Sequence, residues 1–262
     1  MVLSLQGRSH RFKSCSAHKG FSEIYNKKFI TSRDIIQKME NNLDIAALES
    51  ITHADNYNDY VTDILVSQID KKYNIVDFGA GFGLFTERIK NLGFNISAIE
   101  INKIALKKLK NKGIDSYHSL GEIPAPFNCI ISLNVLEHIE DDNLIIKEFY
   151  KKLPNNGKLI LYLPASSLVW TKLDVLVNHK RRYSKSEVKK LLTSNQFKIE
   201  KIIYVDFIGW VVLLLSKIFK LRLDFDGKKI KIYDSYIFKS FKFLDLFTKN
   251  IIGKNLFIVA TK

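Results

Sequence analysis

Two hydrophobic periods alternate along most of this chain. Short apolar runs at 75–78, 95–99, 114–117, 127–133 and 158–163 read as buried strands. Between them, apolar residues recur every three or four positions over 83–92, 102–111 and 141–153, as on amphipathic helices. Phe85, Ile89 and Leu92 form one such face. Gly93, Gly113 and the Pro154-Asn155-Asn156-Gly157 turn stop successive elements. A further helix over 184–194 opens with Ser184 and carries Glu187 three positions on, a capping-box pattern. Strands at 197–204 and 255–261 follow. Alternating strands and helices predict an α/β fold with a mostly parallel sheet and right-handed crossovers.

Both ends of this alternation carry additions. Before it, Ser32 can cap a helix over 32–41, and Asp55 or Asn56 a second one with Tyr57, Tyr60, Ile64 and Leu65 on one face. Residues 20–70 therefore read as a helical lead-in or lid, 71–206 as the core, and 207–254 as an insert ahead of the last strand, 255–262. The insert holds an apolar helix over 208–219 and an amphipathic stretch over 236–247. Residues 1–19 show neither period and carry four basic residues with no acid. Arg11-Phe12-Lys13-Ser14-Cys15 is what a tRNA T-arm-like nucleotide string would encode. We expect this segment to be either a start assigned too far upstream or a basic, disordered arm.

Composition narrows the class. A 262-residue chain with 46% hydrophobic residues can bury one large core. Net charge is +14, but only seven of the 41 basic residues are arginine. Nucleic-acid readers rely more on arginine for bidentate contacts. Cys129 lies within an apolar run, so a disulfide framework is not expected and a reducing, cytoplasmic compartment is. The longest apolar run, 207–215, is about half the ~20 residues needed to cross a bilayer.

The segment with the most chemistry is Ile75-Val76-Asp77-Phe78-Gly79-Ala80-Gly81-Phe82-Gly83. A strand, a glycine turn and a helix start make a nucleotide-binding crevice. The glycines fall as G-x-G-x-G, with Asp77 two residues ahead, rather than as the dinucleotide G-x-G-x-x-G. Glu100 closes the next strand, where a carboxylate can accept both hydroxyl protons of a ribose. Phe127-Asn128-Cys129-Ile130-Ile131-Ser132-Leu133-Asn134-Val135-Leu136-Glu137-His138-Ile139 completes the pattern. Together these segments resemble class I S-adenosylmethionine-dependent methyltransferases, in particular the type 11/12-like branch acting on small molecules, glycans and lipids.

The resemblance implies a Rossmann-like sheet with its last strand antiparallel, and S-adenosylmethionine as cofactor. Carried onto this chain, the pocket comprises Asp77, Phe78, Gly79, Ala80, Gly81, Gly83, Glu100, Ile101, Asn134 and Val135. Tyr57 is expected either to lid the cofactor or to be a core aromatic. The adenine contact near His118-Ser119-Leu120 stays unassigned, because the acid many relatives have there is missing.

Asn178-His179-Lys180-Arg181-Arg182-Tyr183-Ser184 resembles a "G-H-x-R-R-Y-S" segment of a bacterial methyltransferase subgroup associated with glycan or lipid pathways. Paired arginines can grip a phosphate or carboxylate, so Arg181, Arg182 and Tyr183 are candidate acceptor-binding residues. His179 is the candidate general base. The same segment also reads as a capping and salt-bridge cluster. No metal-ligand spacing appears.

We therefore expect methyl transfer to a small-molecule, glycan or lipid-linked acceptor, at oxygen, with the apolar and basic segment 207–222 touching the inner face of a membrane. Two alternatives stay open. A nucleic-acid methyltransferase would suit the charge, but lacks the Asn/Asp-Pro-Pro-Tyr/Phe and catalytic cysteine motifs. The other is a non-catalytic, membrane-associated protein that binds S-adenosylmethionine.

Overall fold

A strand covered on both faces must be apolar on both, and the central runs of this chain are. The computed structural model describes residues 48–262 apart from Ala125, Arg222 and Phe225. The 1–19 segment, the helix expected over 32–41 and the rest of the lead-in before residue 48 lie outside them. A helical turn at 48–50 and a 3-10 turn (Ile51–His53) lead into α1 (Asp55–Val66). Then come β1 (Asn74–Phe78), α2 (Leu84–Asn91), β2 (Asn95–Ile99), α3 (Lys103–Asn111), β3 (Ser116–Tyr117) and β4 (Cys129–Leu133). The chain continues through α4 (Asp142–Lys152), β5 (Lys158–Pro164), α5 (Lys172–Leu176), α6 (Lys185–Ser194) and β6 (Lys198–Val205). The insert starts with α7 (Phe207–Ile218) and α8 (Gly227–Ile232), and β7 (Asn255–Thr261) ends the sheet.

The seven strands lie in the order β3-β2-β1-β4-β5-β7-β6. β7 pairs antiparallel with both β5 and β6, and the other pairings are parallel. Successive side chains of a strand point to opposite faces. Val76 and Ile130 therefore join Phe149 of α4 and Leu192 of α6 in one core layer. Ile75 and Ile131 join Leu65 of α1 and Ile89 of α2 in the other. The chain leaves β1 toward β2 and β3, then crosses to β4 on the far side. That reversal opens a crevice at the carboxyl ends of β1 and β4.

Several expectations shift in detail. Leu92 is 47% exposed, because α2 ends at Asn91, and Thr86 takes the buried place beside Ile89. Of the expected face of α1, Tyr57 and Leu65 are buried and Tyr60 and Ile64 are partly buried against the same core, with Asn58, Val61 and Thr62 buried beside them. Neither Asp55 nor Asn56 caps that helix, since Ala54 stands at the N-cap and makes no side-chain cap bond. The cap comes from the insert. Asp234 accepts from the backbone N–H of Asn56 at 2.9 Å and of Tyr57 at 2.8 Å, and from the Asn56 side chain at 2.8 Å.

The amphipathic stretch over 236–247 forms part of a π-helical segment (Tyr233–Phe238) and shorter turns. This segment buries Asp234 at the helix end and Phe238 against the Tyr57 and Tyr60 rings. Asp245 adds a second tie, accepting from the Tyr60 hydroxyl and from the backbone N–H groups of Asp206 and Phe207. Replacing Asp234 with alanine strands orphan donors at the buried start of α1, and should cost about 2 kcal/mol. Urea denaturation would show it, and an unchanged midpoint would refute the capping role.

Candidate functional site

The glycine turn sits where β1, β2 and β4 end. Gly79 (φ 79°) and Gly83 (φ 77°) adopt left-handed backbone that side chains resist. A Cβ on Gly79 would lie 2.4 Å from Cγ2 of Val135, and one on Gly83 2.5 Å from Cδ2 of Leu109. The turn is thus packed against the segment leaving β4 on one side and α3 on the other. Its amides are mostly engaged internally. Gly79 and Ala80 both donate to the carbonyl of Ile99, and Gly83 to that of Ala80. An anion at this turn is met instead by the first turn of α2, whose amides lack helical partners.

Two acids flank the turn, both buried. Burial pushes Asp77 up to about 7, against the pull of the Thr86 hydroxyl, which donates to Oδ2 at 2.6 Å. The charge of Glu100 adds to the rise. Glu100 is raised chiefly by burial as well, opposed by N–H groups around it. Its Oε2 accepts from Gly81 at 2.7 Å and its Oε1 from Asn102 at 2.8 Å. Ile101 follows directly, and Phe78 meets Phe149 edge-on. Asn134 (φ 51°) turns the chain off β4 and donates its N–H to the carbonyl of Tyr162, which sets Val135 over Gly79.

These residues fit S-adenosylmethionine. Two buried carboxylates suit an ammonium and a ribose, a glycine turn leaves no Cβ in the way, and Val135 packs over Gly79. Glu122, the acid nearest the unassigned adenine position, accepts from the His118 N–H and the Ser119 hydroxyl.

A second polar cluster follows β4 and β5. Glu137 lies in the 3-10 turn (Leu136–His138), fully buried, and among the described residues neither carboxyl oxygen has a hydrogen-bond partner. Burial pushes it up to about 8. The Nε2 of His179 lies 3.7 Å from Oε1 of Glu137, while its Nδ1 lies 2.8 Å from Oδ1 of Asp174. Asp174 is held at about 2, its bonds to His179 and Arg182 outweighing the opposing effect of burial. Burial pushes His138 down to about 4, and its ring packs edge-on against His179. An oriented imidazole of this kind can accept a proton or hold a metal through Nε2.

The arginine pair divides. Arg182 is buried, with Nε on Asp174 at 2.8 Å and Nη1 on the carbonyl of Ala165 at 3.1 Å. Tyr183 donates its hydroxyl to Asp142 and pairs its backbone with Pro164 and Ser166. Arg181 is the more exposed, bonded to the Glu140 carbonyl and paired with Asp142. The structure therefore gives Arg182 and Tyr183 partners within the chain.

Tyr57 also has partners within the chain. Its hydroxyl lies 2.9 Å from that of Tyr162, and Asn255 donates to both. Lys254 stands 5.0 Å from the centre of its ring and pairs with Asp206 at 2.6 Å. Sequence reasoning missed Tyr162, Asn255 and Lys254, and gave Asp174 no role. Only Asp174 carries a local signal, the capping-box spacing from Thr171, and that signal hides its bonds to Arg182 and His179.

Comparison with known proteins gives the family. A family profile described as a methyltransferase domain matches residues 51–202. The "Ubiquinone biosynthesis O-methyltransferase, mitochondrial" of Schizosaccharomyces pombe is 26% identical over 99 residues, 33% of this chain and 36% of that one. The "Ubiquinone biosynthesis O-methyltransferase" of Xylella fastidiosa is 28% identical over 98 residues, 33% of this chain and 40% of that one. The match thus spans about two fifths of the length of these curated relatives.

A SAM-dependent methyltransferase from Thermotoga maritima superposes with a TM-score of 0.58 at 16% identity, over 87% of this chain and 99% of that one. One from Archaeoglobus fulgidus gives 0.53 at 19%, over 78% and 94%. These two show the fold alone. With the family profile covering more than half of its residues, the chain belongs to the methyltransferase-domain family, in its class I, S-adenosylmethionine-dependent form.

Proposed function

We propose that this protein methylates an oxygen of a small-molecule acceptor carried on an apolar chain, working at a membrane surface. Bound S-adenosylmethionine supplies a methyl group already activated on a sulfonium. What the chain's residues contribute is grip, alignment and exclusion of water. Asp77 takes the ammonium, Glu100 the ribose hydroxyls, and the Gly79–Val135 contact closes the wall beside the methyl group. Arg182 and Tyr183 act as positioning residues for the segment after β5, and Arg181 is the residue of that trio left nearest to solvent. The names of the curated relatives support an oxygen acceptor.

The observation that carries the membrane reading is an apolar rim. Leu168, Val175 and Leu176, just after β5, are exposed. α7 packs beside them, with Trp210 donating to the Ser166 hydroxyl and Lys217 to the Leu168 carbonyl. It extends the rim through exposed Leu215, Ile218 and Phe219, and the rest of the insert adds Ile232, Tyr236, Phe243, Leu246 and Phe247. Lys217, Lys220, Lys228, Lys229, Lys231 and Lys239 are exposed among them. Apolar side chains interleaved with lysines suit an interface of anionic lipid. Among the described residues no helix is long and apolar enough to cross a membrane. α7, of 12 residues, would lie on it.

Vesicle sedimentation tests this reading. The protein should pellet with vesicles containing anionic lipid, less so in high salt, and Phe219→Glu should weaken binding roughly tenfold, the ~1.4 kcal/mol expected from one lost apolar contact. Equal recovery in the supernatant with and without vesicles would sink the membrane reading. Methyl transfer confined to water-soluble acceptors would sink the apolar-chain one.

A further inference from the structure

In-line transfer places the acceptor on the far side of the methyl group from the sulfur, so the acceptor needs a seat beyond the cofactor. Past β4, away from β1, the sheet offers the ends of β5, β7 and β6. The chain leaves β4, β5 and β6 at that edge through Asn134, Ser166 and Asp206, non-glycine residues with φ of 51°, 63° and 61°. Such backbone is costly for a side chain, and it gathers where a site must be held in shape.

β7 enters at the same edge. A Cβ on Gly253 would lie 2.5 Å from the Val205 carbonyl oxygen, so the chain is pressed against the end of β6. Lys254 is then fixed from both sides. Its N–H donates to the Asp206 carbonyl at 3.1 Å, and its carbonyl accepts from Ala165 at 2.8 Å. Arg182, bonded to the carbonyl of the same Ala165, is near enough to oppose the charge of Lys254.

An ammonium has three N–H donors and no acceptor. Among the described residues, that of Lys254 pairs with Asp206 and otherwise meets the Tyr57 ring. Burial works against its charge, yet Asp206 outweighs burial and raises it above the ordinary lysine range. The side chain keeps 29% of its surface exposed, which leaves donors open to a ligand. Asp245, beside Asp206, is taken up by the Tyr60 hydroxyl and two backbone N–H groups. The Tyr233 hydroxyl, in the field of Asp206 and Tyr57, is buried and has no partner among the described residues. Buried polar groups seldom stay unpaired.

We propose that Lys254 binds a singly charged anionic oxygen group of the acceptor, a carboxylate or a phosphate diester. One ammonium shared with Asp206 suits one negative charge better than two. Lysine also acts as a point charge, where arginine favours a planar, bidentate partner. The anion's role as part of an acceptor rests on the methyl-transfer reading, whereas its binding does not require turnover. Two rival accounts exist: an ion pair that only fastens β7 to the end of β6, and a grip on the carboxylate of S-adenosylmethionine.

Protein saturated with S-adenosylhomocysteine should be titrated with hexanoate, methyl hexyl phosphate and hexanol. Tryptophan fluorescence follows binding, since Trp210 bonds to Ser166 at the same edge. We expect at least one of the anions to bind tenfold or more tightly than hexanol, and the better of the two names the group. Lys254→Arg keeps the charge and should keep the preference. Lys254→Met combined with Asp206→Asn removes both charges without stranding an acid, and asparagine still suits the cap of α7. This double variant should bind all three probes alike, with its affinity for S-adenosylhomocysteine within about threefold of wild type.

Equal binding of anions and hexanol by folded wild-type protein overturns the proposal. So does a preference that survives the double variant, which would place the anion elsewhere. Loss of S-adenosylhomocysteine affinity in the double variant, with the anion preference intact, would give Lys254 to the cofactor instead. Should that variant fail to fold, Lys254→Gln takes its place with the same outcomes. A protein that binds the anion through Lys254 yet methylates no acceptor would count against the methyl-transfer reading alone.

Discussion

Replacing Glu100 with alanine is expected to abolish measurable binding of S-adenosylmethionine. The carboxylate is buried, and its two oxygens are already oriented by the N–H groups of Gly81 and Asn102. Two hydroxyl protons donated to a charged acceptor are worth about 3 kcal/mol or more together, roughly 100-fold or greater in affinity. Alanine also strands the two amides, so a fall in stability accompanies the loss. Glu100→Gln separates the effects, because it keeps an acceptor oxygen and the volume while removing the charge. Calorimetry on both variants is the check. Wild-type affinity in either folded variant would mean that the ribose is held elsewhere.

The second large effect concerns Asp77 and has opposite signs for stability and for binding. Its folded value is raised to about 7, well above that of an exposed aspartate. A raised acid favours the folded state most where it is protonated in both states. Its contribution is therefore full below the unfolded value near 4, and is lost as pH rises through about 7. Asp77→Asn removes that dependence. The variant and wild type should have similar stability near pH 4. By pH 8 the variant should be the more stable, by a few kcal/mol at most, with the gap growing across the interval.

The same variant should bind S-adenosylmethionine far more weakly, since an amide cannot match the charge of an ammonium. Chemical denaturation from pH 4 to pH 8, beside calorimetry, reads both. A gap that does not change with pH would show that Asp77 is not the titrating group. Stability gained as binding is lost is the expected signature of a functional acid held in an unfavourable place.

Asp77 and Glu100 are legible in the sequence because their signals are local. A short apolar run, an acid and glycines two apart fall within nine residues, and Glu100 ends the next strand. The capping box at Ser184 and the stop at Gly93 are legible for the same reason. Contacts set by tertiary packing are not. Nothing near Asn56 says that the acid capping its helix is Asp234, far along the chain. Nor does the spacing of Glu137 and His138 hint that His179 arrives beside them, because the crossover between β5 and α6 brings it there. The Arg181-Arg182 pair looks alike in sequence, yet one is buried on Asp174 and the other, half-buried, pairs with Asp142. Tyr57 reads as a lid or as core, and only the positions of Tyr162 and Asn255 give its hydroxyl an address.

The placement of β7 sets an order of assembly. Among the described residues β6 has no neighbour other than β7, and β7 sits between it and β5. β6 therefore cannot join the sheet when it is made. It must wait until the whole insert has followed and β7 slots in, closing a loop of some fifty residues between 205 and 255. In the folded chain Asp234 and Asp245 tie that loop to α1 and to the start of α7. The half of the sheet from β3 to β5 can thus form early from parallel, sequence-near units, and β6, insert and β7 then dock as one cooperative block. Until they do, β5 has an open edge, and the nascent protein is at its most prone to pair with another chain.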